Sequence, residues 1–441
     1  MRRPSVLLVS YVFPPVAGLS PQRVLHLAIE LMERGYEVCV ITARVSPYDP
    51  RHRLDETLVT SVPEGLQVLR VWPGPGASLL AYVRGLILRS GNGLSERNVG
   101  MPPLHRSILR GVTGWIYRTM VKPFLLPDVD VEWYPFASRA AAAVVMRQRP
   151  VAVYTLAYPF TAHFIGRALK RRYGLRWVAD YGDPWVINPM SAPPHWRCWL
   201  DTRLEESVLL NADRVFFATP ETREAYLAYH RVLDAARASV AYWGYEPLDF
   251  QPCALQTGHR CRIVYTGTFG MANRSATRLL EALAHPDLAD CELIVAGLSK
   301  LDAERLLVDK ARELGIDHRV SFRGFLPRAD MIALQQAASV LVLWGWPGGM
   351  QIPGKLFEYF GARRPILVIA GDDRDPCARL VRDLNRGLAV SDATQVLRST
   401  LCAIRDAWRR GELDSQFDLG PLREYTWQQQ VGIIADALTE P

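Results

Sequence analysis

The stretch Ser5-Val6-Leu7-Leu8-Val9-Ser10-Tyr11-Val12 opens on a short unbroken apolar run, and its pairing with the next thirty residues decides the fold. Residues 13–22 form a long loop rich in proline and glycine. Arg23–Arg34 then puts Val24, Ala28, Leu31 and Met32 on one helical stripe, Gly35 stops it, and Tyr36–Thr42 reads as a second strand. Strands covered on both faces show as continuous apolar runs, and a helix between two of them makes the pair parallel. The unit is β-α-β, and the expected class is α/β with doubly wound parallel sheets. Ligands of such sheets bind beyond the carboxyl ends of the strands. The loop after the first strand is therefore a candidate site, carrying Gly18, Ser20 and Arg23. It lacks the G-x-G-x-x-G of a dinucleotide turn. A glycine admitting a ligand to the backbone and a purely structural turn are equally open readings.

The alternation continues through Gln67–Trp72, Val151–Tyr154, Trp177–Asp180 and Arg214–Thr219, all read as strands. Behind the second of these comes Tyr158-Pro159-Phe160-Thr161-Ala162-His163, and behind the third Tyr181-Gly182-Asp183-Pro184-Trp185. Both segments lie at strand ends, which makes His163, Asp180 and Asp183 candidates for the acceptor side of a cleft. A carboxylate there can hold a hydroxyl or a developing positive charge. Equally, an Asp before Pro opens turns, and a lone His can be a satisfied core residue. Asp128-Val129-Asp130 has the D-x-D spacing of some metal-binding transferases, but Pro127 marks a surface turn and no metal site is expected.

Near Gly244-Tyr245-Glu246-Pro247 the pattern resets, giving domains 1–245 and 246–422. The second half repeats the alternation with strands at Ile263–Thr266, Leu293–Ala296, Val320–Phe322, Val340–Leu343, Ile366–Ile369 and Leu388–Val390. Its first strand runs into Tyr265-Thr266-Gly267-Thr268-Phe269-Gly270, with Arg274 and a helix to follow, so Gly267 and Thr268 can face a phosphate. The strongest local signal is Gln351-Ile352-Pro353-Gly354-Lys355-Leu356-Phe357-Glu358-Tyr359-Phe360. Pro353 and Gly354 sit where a loop turns into a helix. The first amides of a helix lack intrahelical acceptors and lie at its positive end, a geometry suited to phosphate. Lys355 adds a full charge there. Glu358, one turn on, offers a carboxylate of the kind that accepts ribose hydroxyls. An ordinary amphipathic helix with Lys and Glu on its wet face fits the same spacing.

A chain of 441 residues exceeds one core, and 49% hydrophobic with 22% charged residues fits a globular protein. The net charge of +7 favours anionic partners: nucleotides, phosphorylated substrates or a membrane surface. No nucleic acid partner is expected. Seven scattered cysteines without a C-x-x-C pair suit a reducing compartment. The run Val6–Val9 stops before Pro14-Pro15, which suits a buried strand better than a signal peptide, and no apolar run reaches about 18 residues. A cytoplasmic protein is expected. Leu104–Phe124 gathers Arg106, Arg110, Arg118 and Lys122 on one helical face and Leu104, Ile108, Trp115 and Ile116 on the other. That pattern fits a peripheral membrane helix or a helix packed on its own domain.

The order Tyr11-Val12-Phe13-Pro14-Pro15 with Gly18 and Gln22-Arg23, Asp180 with Asp183-Pro184-Trp185, Tyr265-Thr266-Gly267, Arg323-Gly324-Phe325-Leu326-Pro327 and Pro353-Gly354-Lys355-Leu356-Phe357-Glu358-Tyr359 resembles the family 4 glycosyltransferases. It is similar above all to the bacterial branch that builds surface polysaccharides and O-antigens. The resemblance implies the GT-B fold, two Rossmann-like domains facing a cleft, with a helix at Arg423–Leu438 returning to the first domain so that 423–441 joins it. It implies a retaining, metal-independent enzyme with no cofactor and a nucleotide-sugar as co-substrate. Lipid-linked glycans or natural products would be the acceptors. Carried onto this chain, Glu358 matches the glutamate on the donor ribose, and Gly354 and Lys355 match diphosphate contacts alongside Pro353 and Leu356. Arg274 matches a basic residue on the phosphates, and Gly18 matches the glycine at the donor–acceptor junction. Lys355, Arg274 and Asp183 form the implied catalytic set. The chain departs from the family pattern at Met350, where a glutamate is common, at Thr268, where an arginine is common, and at Gly182-Asp183, near the place of a histidine. A protein that binds a nucleotide-sugar without transferring it, or an epimerase on the same fold, fits those departures too.

Overall fold

The computed structural model describes residues 3–46, 49, 52–76, 78, 124–250, 260–267, 276–297, 301–345, 349–370 and 374–440. The chain forms two compact units. The first comprises Met1–Ala218, Arg223–Ala241 and Val431–Pro441; the second comprises Thr219–Thr222 and Tyr242–Gln430.

The first unit is built on seven strands: β1 (Ser5–Val9), β2 (Glu37–Ala43), β3 (Gln67–Val71), β4 (Ala152–Ala157), β5 (Arg176–Tyr181), β6 (Arg214–Phe217) and β7 (Ala238–Val240). They pair in the order β3-β2-β1-β4-β5-β6-β7, every pair parallel. Its helices are α1 (Leu19–Glu33), α2 (Tyr134–Gln148), α3 (Thr161–Tyr173), α4 (His195–Asn211) and α5 (Pro220–Tyr229). All five residues of β1 are buried, as a strand covered on both faces requires. Val6 sits opposite Val38 on one side and Ala152 on the other, so the strand order turns at β1. Trp133, Trp177, Tyr154, Tyr181 and Tyr226 are fully buried in this unit. An aromatic core of that kind contributes roughly 2–3 kcal/mol per fully buried large side chain.

The helix expected from Arg23 begins at Leu19 instead. Pro21 falls in its first turn, where a missing amide hydrogen costs nothing, so the proline belongs to the helix and not to the loop. That earlier start turns Arg23 inward, where it is fully buried. β7 has three residues, too short to give a sequence pattern, and lies at the sheet edge beside β6.

The second unit holds six strands: β8 (Cys261–Thr266), β9 (Cys291–Ala296), β10 (Val320–Phe322), β11 (Val340–Trp344), β12 (Ile366–Ala370) and β13 (Gly387–Ser391). Their order is β10-β9-β8-β11-β12-β13, again parallel throughout. The helices are α6 (Thr277–Leu283), α7 (Leu301–Glu313), α8 (Arg328–Gln336), α9 (Lys355–Ala362), α10 (Pro376–Asp383) and α11 (Thr394–Arg409), with α12 at Trp427–Thr439. β8 pairs with both β9 and β11, so the order turns at its carboxyl end, the place where such sheets bind ligands.

The single helix expected over Arg423–Leu438 is divided. Arg423–Tyr425 makes one 3-10 turn, Thr426 is extended at φ −75° and ψ 154°, and α12 comes next. From Val431 the chain belongs to the first unit, where Arg34 Nη1 meets Asp436 Oδ1 at 2.5 Å and Arg176 Nε donates to the Ala437 carbonyl at 2.8 Å. Ile434, Ala435 and Leu438 are buried. Among the described residues no helix is long and apolar enough to cross a membrane. The basic amphipathic segment expected at 104–124 lies outside the described residues except for Phe124.

Candidate functional site

In the second unit three glycines come after three neighbouring strands at their carboxyl ends. Gly267, Gly297 and Gly324 have φ of 131°, 125° and 63°, conformations that L side chains rarely adopt. The Gly267 amide donates to the Ala296 carbonyl and the Gly297 amide to the Gly324 carbonyl, both at 2.6 Å. A Cβ on Gly297 would lie 2.3 Å from the Gly267 carbonyl oxygen, so these loops meet backbone to backbone.

Lys355 fills the space over Gly267. A Cβ on Gly267 would lie 1.5 Å from Lys355 Nζ, and Nζ stands 5.3 Å from the centre of the Tyr265 ring. The ammonium is thus held at the end of β8 partly by the ring face, a cation–π contact. Helix α9 is fixed to the same strand end through Tyr359. Its hydroxyl accepts from the Thr266 amide at 3.0 Å and from Thr266 Oγ1 at 3.2 Å, and it donates to the Val342 carbonyl at 3.3 Å. Gln335 Nε2 completes the set on Thr266 Oγ1 at 3.0 Å. Burial raises the Tyr359 phenol, which keeps it a neutral donor.

α9 buries Leu356, Phe357 and Phe360 and leaves Lys355 and Glu358 half-buried. They stand about 4.5 Å apart along the helix axis, given its rise per residue. Glu358 Oε1 accepts from Arg328 Nη1 at 2.9 Å, and Arg328 Nη2 also reaches Asp249 Oδ2 at 2.6 Å. Burial pushes the Arg328 guanidinium down, and the two carboxylates more than restore it. Arg328 and Asp249 were not singled out in the sequence; the only signal is Pro327-Arg328 opening α8, and it does not name Glu358 as the partner. Leu356 turns inward. Its side chain is fully buried and its amide donates to the Pro353 carbonyl at 2.9 Å. The Phe357 amide likewise donates to the Gly354 carbonyl at 3.2 Å. The turn therefore offers its positive end and the Lys355 ammonium rather than a row of open amides. Thr268 and Arg274 lie outside the described residues.

In the first unit the expected acceptor-side residues divide. Arg23 and Asp180 are both fully buried, with Nε to Oδ2 at 2.6 Å and Nη2 to Oδ1 at 3.2 Å. Tyr154 donates its hydroxyl to Asp180 Oδ2 at 2.6 Å, and Arg23 Nη2 donates to the Ala241 carbonyl at 3.0 Å. Burial pulls the Arg23 guanidinium down, but Asp180 and Tyr154 push it back above its ordinary value. His163 is fully buried, its Nδ1 2.8 Å from Thr155 Oγ1, and burial lowers it to about 3, which keeps it neutral. These three expectations are corrected: the residues tie α1, β5 and α3 into the core and present no surface to an acceptor. Gly18 caps α1 at φ 132°, exposed, with Ser20 half-buried in the first turn. Asp183 is exposed beyond β5 and lines a cavity of 520 Å³. The D-x-D carboxylate Asp128 caps α3: Oδ2 accepts from the Thr161 amide and Oδ1 from Thr161 Oγ1, each at 2.8 Å. Burial raises it to about 6.

No curated protein sequence matches the chain. Solved structures match over nearly its whole length. Sucrose-phosphate synthase from Thermosynechococcus elongatus is 18% identical with a TM-score of 0.62, covering 99% of this chain and 95% of its own. HepE of Anabaena, solved with UDP and glucose, is 13% identical with a TM-score of 0.60, covering 98% and 95%. WaaG, a glycosyltransferase involved in lipopolysaccharide biosynthesis, is 15% identical with a TM-score of 0.60, covering 99% and 100%. At such identities the likeness is one of fold: two Rossmann-like parallel sheets, the GT-B architecture. Residues 20–244, more than half of the chain, match the model of the glycosyl transferase 4-like domain. The chain therefore belongs to that glycosyltransferase family.

Proposed function

We propose that this glycosyltransferase takes its sugar from a nucleotide-sugar donor and passes it, with retention and without a metal ion, to a hydroxyl of a lipid-linked glycan or natural-product acceptor. One observation carries the reading: the Lys355 ammonium lies on Gly267 at the turn of the second sheet, beside the positive end of α9, with the braced Glu358 one turn on. A diphosphate fits the first pair and ribose hydroxyls fit the carboxylate. HepE is a GT-B relative solved with UDP, which supports the donor class.

In the proposed step the acceptor oxygen bonds to the anomeric carbon on the face that the leaving diphosphate quits. The anomeric C–O bond breaks, and a donor phosphate oxygen takes the acceptor proton. Lys355 and the helix end stabilise the negative charge that grows on the leaving group, an effect that rests on donors preorganised toward it. Asp183, exposed beyond β5, orients the acceptor hydroxyl. The basic amphipathic sequence at 104–124 supports an acceptor held at a membrane surface, and flotation with anionic vesicles tests that part.

The deciding experiment measures melting temperature with UDP, GDP, dTDP and ADP, and then turnover with the corresponding sugar donors. One nucleotide at a hundred times its Kd should stabilise the protein by about 2.7 kcal/mol. Its sugar donor should turn over at an unchanged rate in EDTA. The reading is overturned if no nucleotide shifts the melting temperature, or if turnover collapses on chelation.

A further inference from the structure

Arg328 opens α8 directly after Pro327, and its guanidinium reaches carboxylates of two other segments of the second unit. Nε and Nη2 donate to Asp249 Oδ2 at 2.8 and 2.6 Å, and Nη1 donates to Glu358 Oε1 at 2.9 Å. The side chains of Arg328 and Glu358 are each 15% exposed, so the bridge is shielded without being sealed. A planar fork that spans two acceptors fixes both in place, which the point charge of a lysine cannot do.

Asp249 is itself anchored. It ends the 3-10 turn Pro247–Asp249, where the Leu248 amide donates to Glu246 Oε1 at 3.1 Å. The next residue, Phe250, is seated on α9: a Cβ on Gly361 would lie 2.5 Å from its ring, and Tyr245 meets that ring edge-on at 5.9 Å. The turn, α8 and α9 therefore hold one another, and Arg328 is the polar clip among them. The clip uses only half of Glu358. Oε1 is taken, while Oε2 has no hydrogen-bond partner among the described residues and belongs to a half-buried side chain. One guanidinium between two carboxylates leaves a net negative charge, which repels a phosphate and welcomes a hydroxyl donor. Along a nucleotide the ribose hydroxyls come after the phosphates, as Glu358 comes after Lys355 along α9.

We propose that Arg328 is a positioning residue that aims the open oxygen of Glu358 at the sugar of the nucleotide, so that the site prefers ribonucleoside diphosphates to their deoxy counterparts. The inference rests on the nucleotide-sugar reading and narrows it: donors built on deoxyribose lose a hydroxyl that this carboxylate is set to accept. Asp249 shares the guanidinium and keeps it from closing on both oxygens of Glu358.

The test is isothermal titration calorimetry on the full chain with UDP, GDP and ADP, each beside its 2′-deoxy and 2′,3′-dideoxy forms. In the wild type the best-bound ribonucleotide should bind about tenfold to a hundredfold tighter than its dideoxy form, the range for a hydrogen bond to a charged acceptor. Arg328→Ala should weaken that ribonucleotide by about tenfold and leave the dideoxy form unchanged. Arg328→Lys should behave like the alanine variant, because an ammonium cannot span both carboxylates. A merely structural clip would weaken both nucleotide forms alike, and that result overturns the proposal, as does equal affinity for the two forms in the wild type. If Arg328→Ala does not fold, Asp249→Asn decides, its side chain being 33% exposed. That variant should shrink the preference for ribose, and an unchanged preference overturns the proposal. Ribonucleotides that bind without discrimination remove only the role of Arg328. If no nucleotide binds in any form, the donor reading falls and takes this inference with it.

Discussion

Gly18 and Gly267 share a backbone conformation, φ 132° and 131°, and each comes after a strand about which its sheet changes direction. Their surroundings differ. A Cβ on Gly18 would come no nearer than 3.8 Å to any atom, while one on Gly267 would land on the Lys355 ammonium. The basic residues beside them differ in the same way. Arg23 is sealed against Asp180 and Tyr154, whereas Lys355 stays half-buried at the strand end. The first unit closes its strand ends with buried carboxylates, and the second opens its own with glycines. A glycine after a β-strand thus reports a turn in one place and room for a charged side chain in the other.

The largest expected effect breaks the closed half. Asp180→Ala strands the Arg23 guanidinium in the core and should cost about 3–5 kcal/mol in urea unfolding. A loss below about 1 kcal/mol, the scale of a surface ion pair, would show that the pair is not a sealed structural element. In the open half, Lys355→Ala should lower kcat/KM by about 10²–10³, the usual effect of deleting one preorganised donor to a developing anion. Gly267→Ala should match it, because the methyl group takes the place of Nζ; near-normal kinetics in that variant would mean the ammonium works elsewhere.

A smaller effect concerns pH. Asp128 is raised to about 6 in the folded protein, above its unfolded value, so it favours the folded state at low pH and that contribution is lost as pH rises through about 6. Asp128→Asn should remove a fall in stability on the order of 2 kcal/mol between about pH 4 and pH 7, read as the difference from wild type. Smallest of all, Gly18→Ala should cost about 1 kcal/mol of backbone strain and leave nucleotide affinity unchanged. A large loss of affinity there would make the two glycines alike after all.

Most strands were legible as short runs dominated by apolar residues; the structure lengthens several by one to three residues, ends β1, β3 and β6 earlier than expected, and adds β7. The start of α1 was not, since Pro21 reads as a loop residue until its place in the first turn is known. Asp180 ends a strand and Arg23 and His163 come after one, but nothing in the sequence says whether such a side chain faces the loops or the core. Arg328, Asp249 and Glu358 come from three distant segments, and only the folded chain brings them within 2.9 Å. Gly267 and Lys355 were legible as separate loop and helix signals, while their contact was not.

The residues from Val431 onward complete the unit that begins at the amino terminus, through Asp436 on Arg34 and Glu440 on Arg176. During synthesis the first unit therefore stays unfinished until this segment has left the ribosome, although its sheet was made first. The second unit has all its strands by Ser391, and its core takes Leu397, Leu401 and Ile404 of α11 after that. For this chain the strands of the first unit are translated well before the segment that packs on them, which comes after the whole of the second unit.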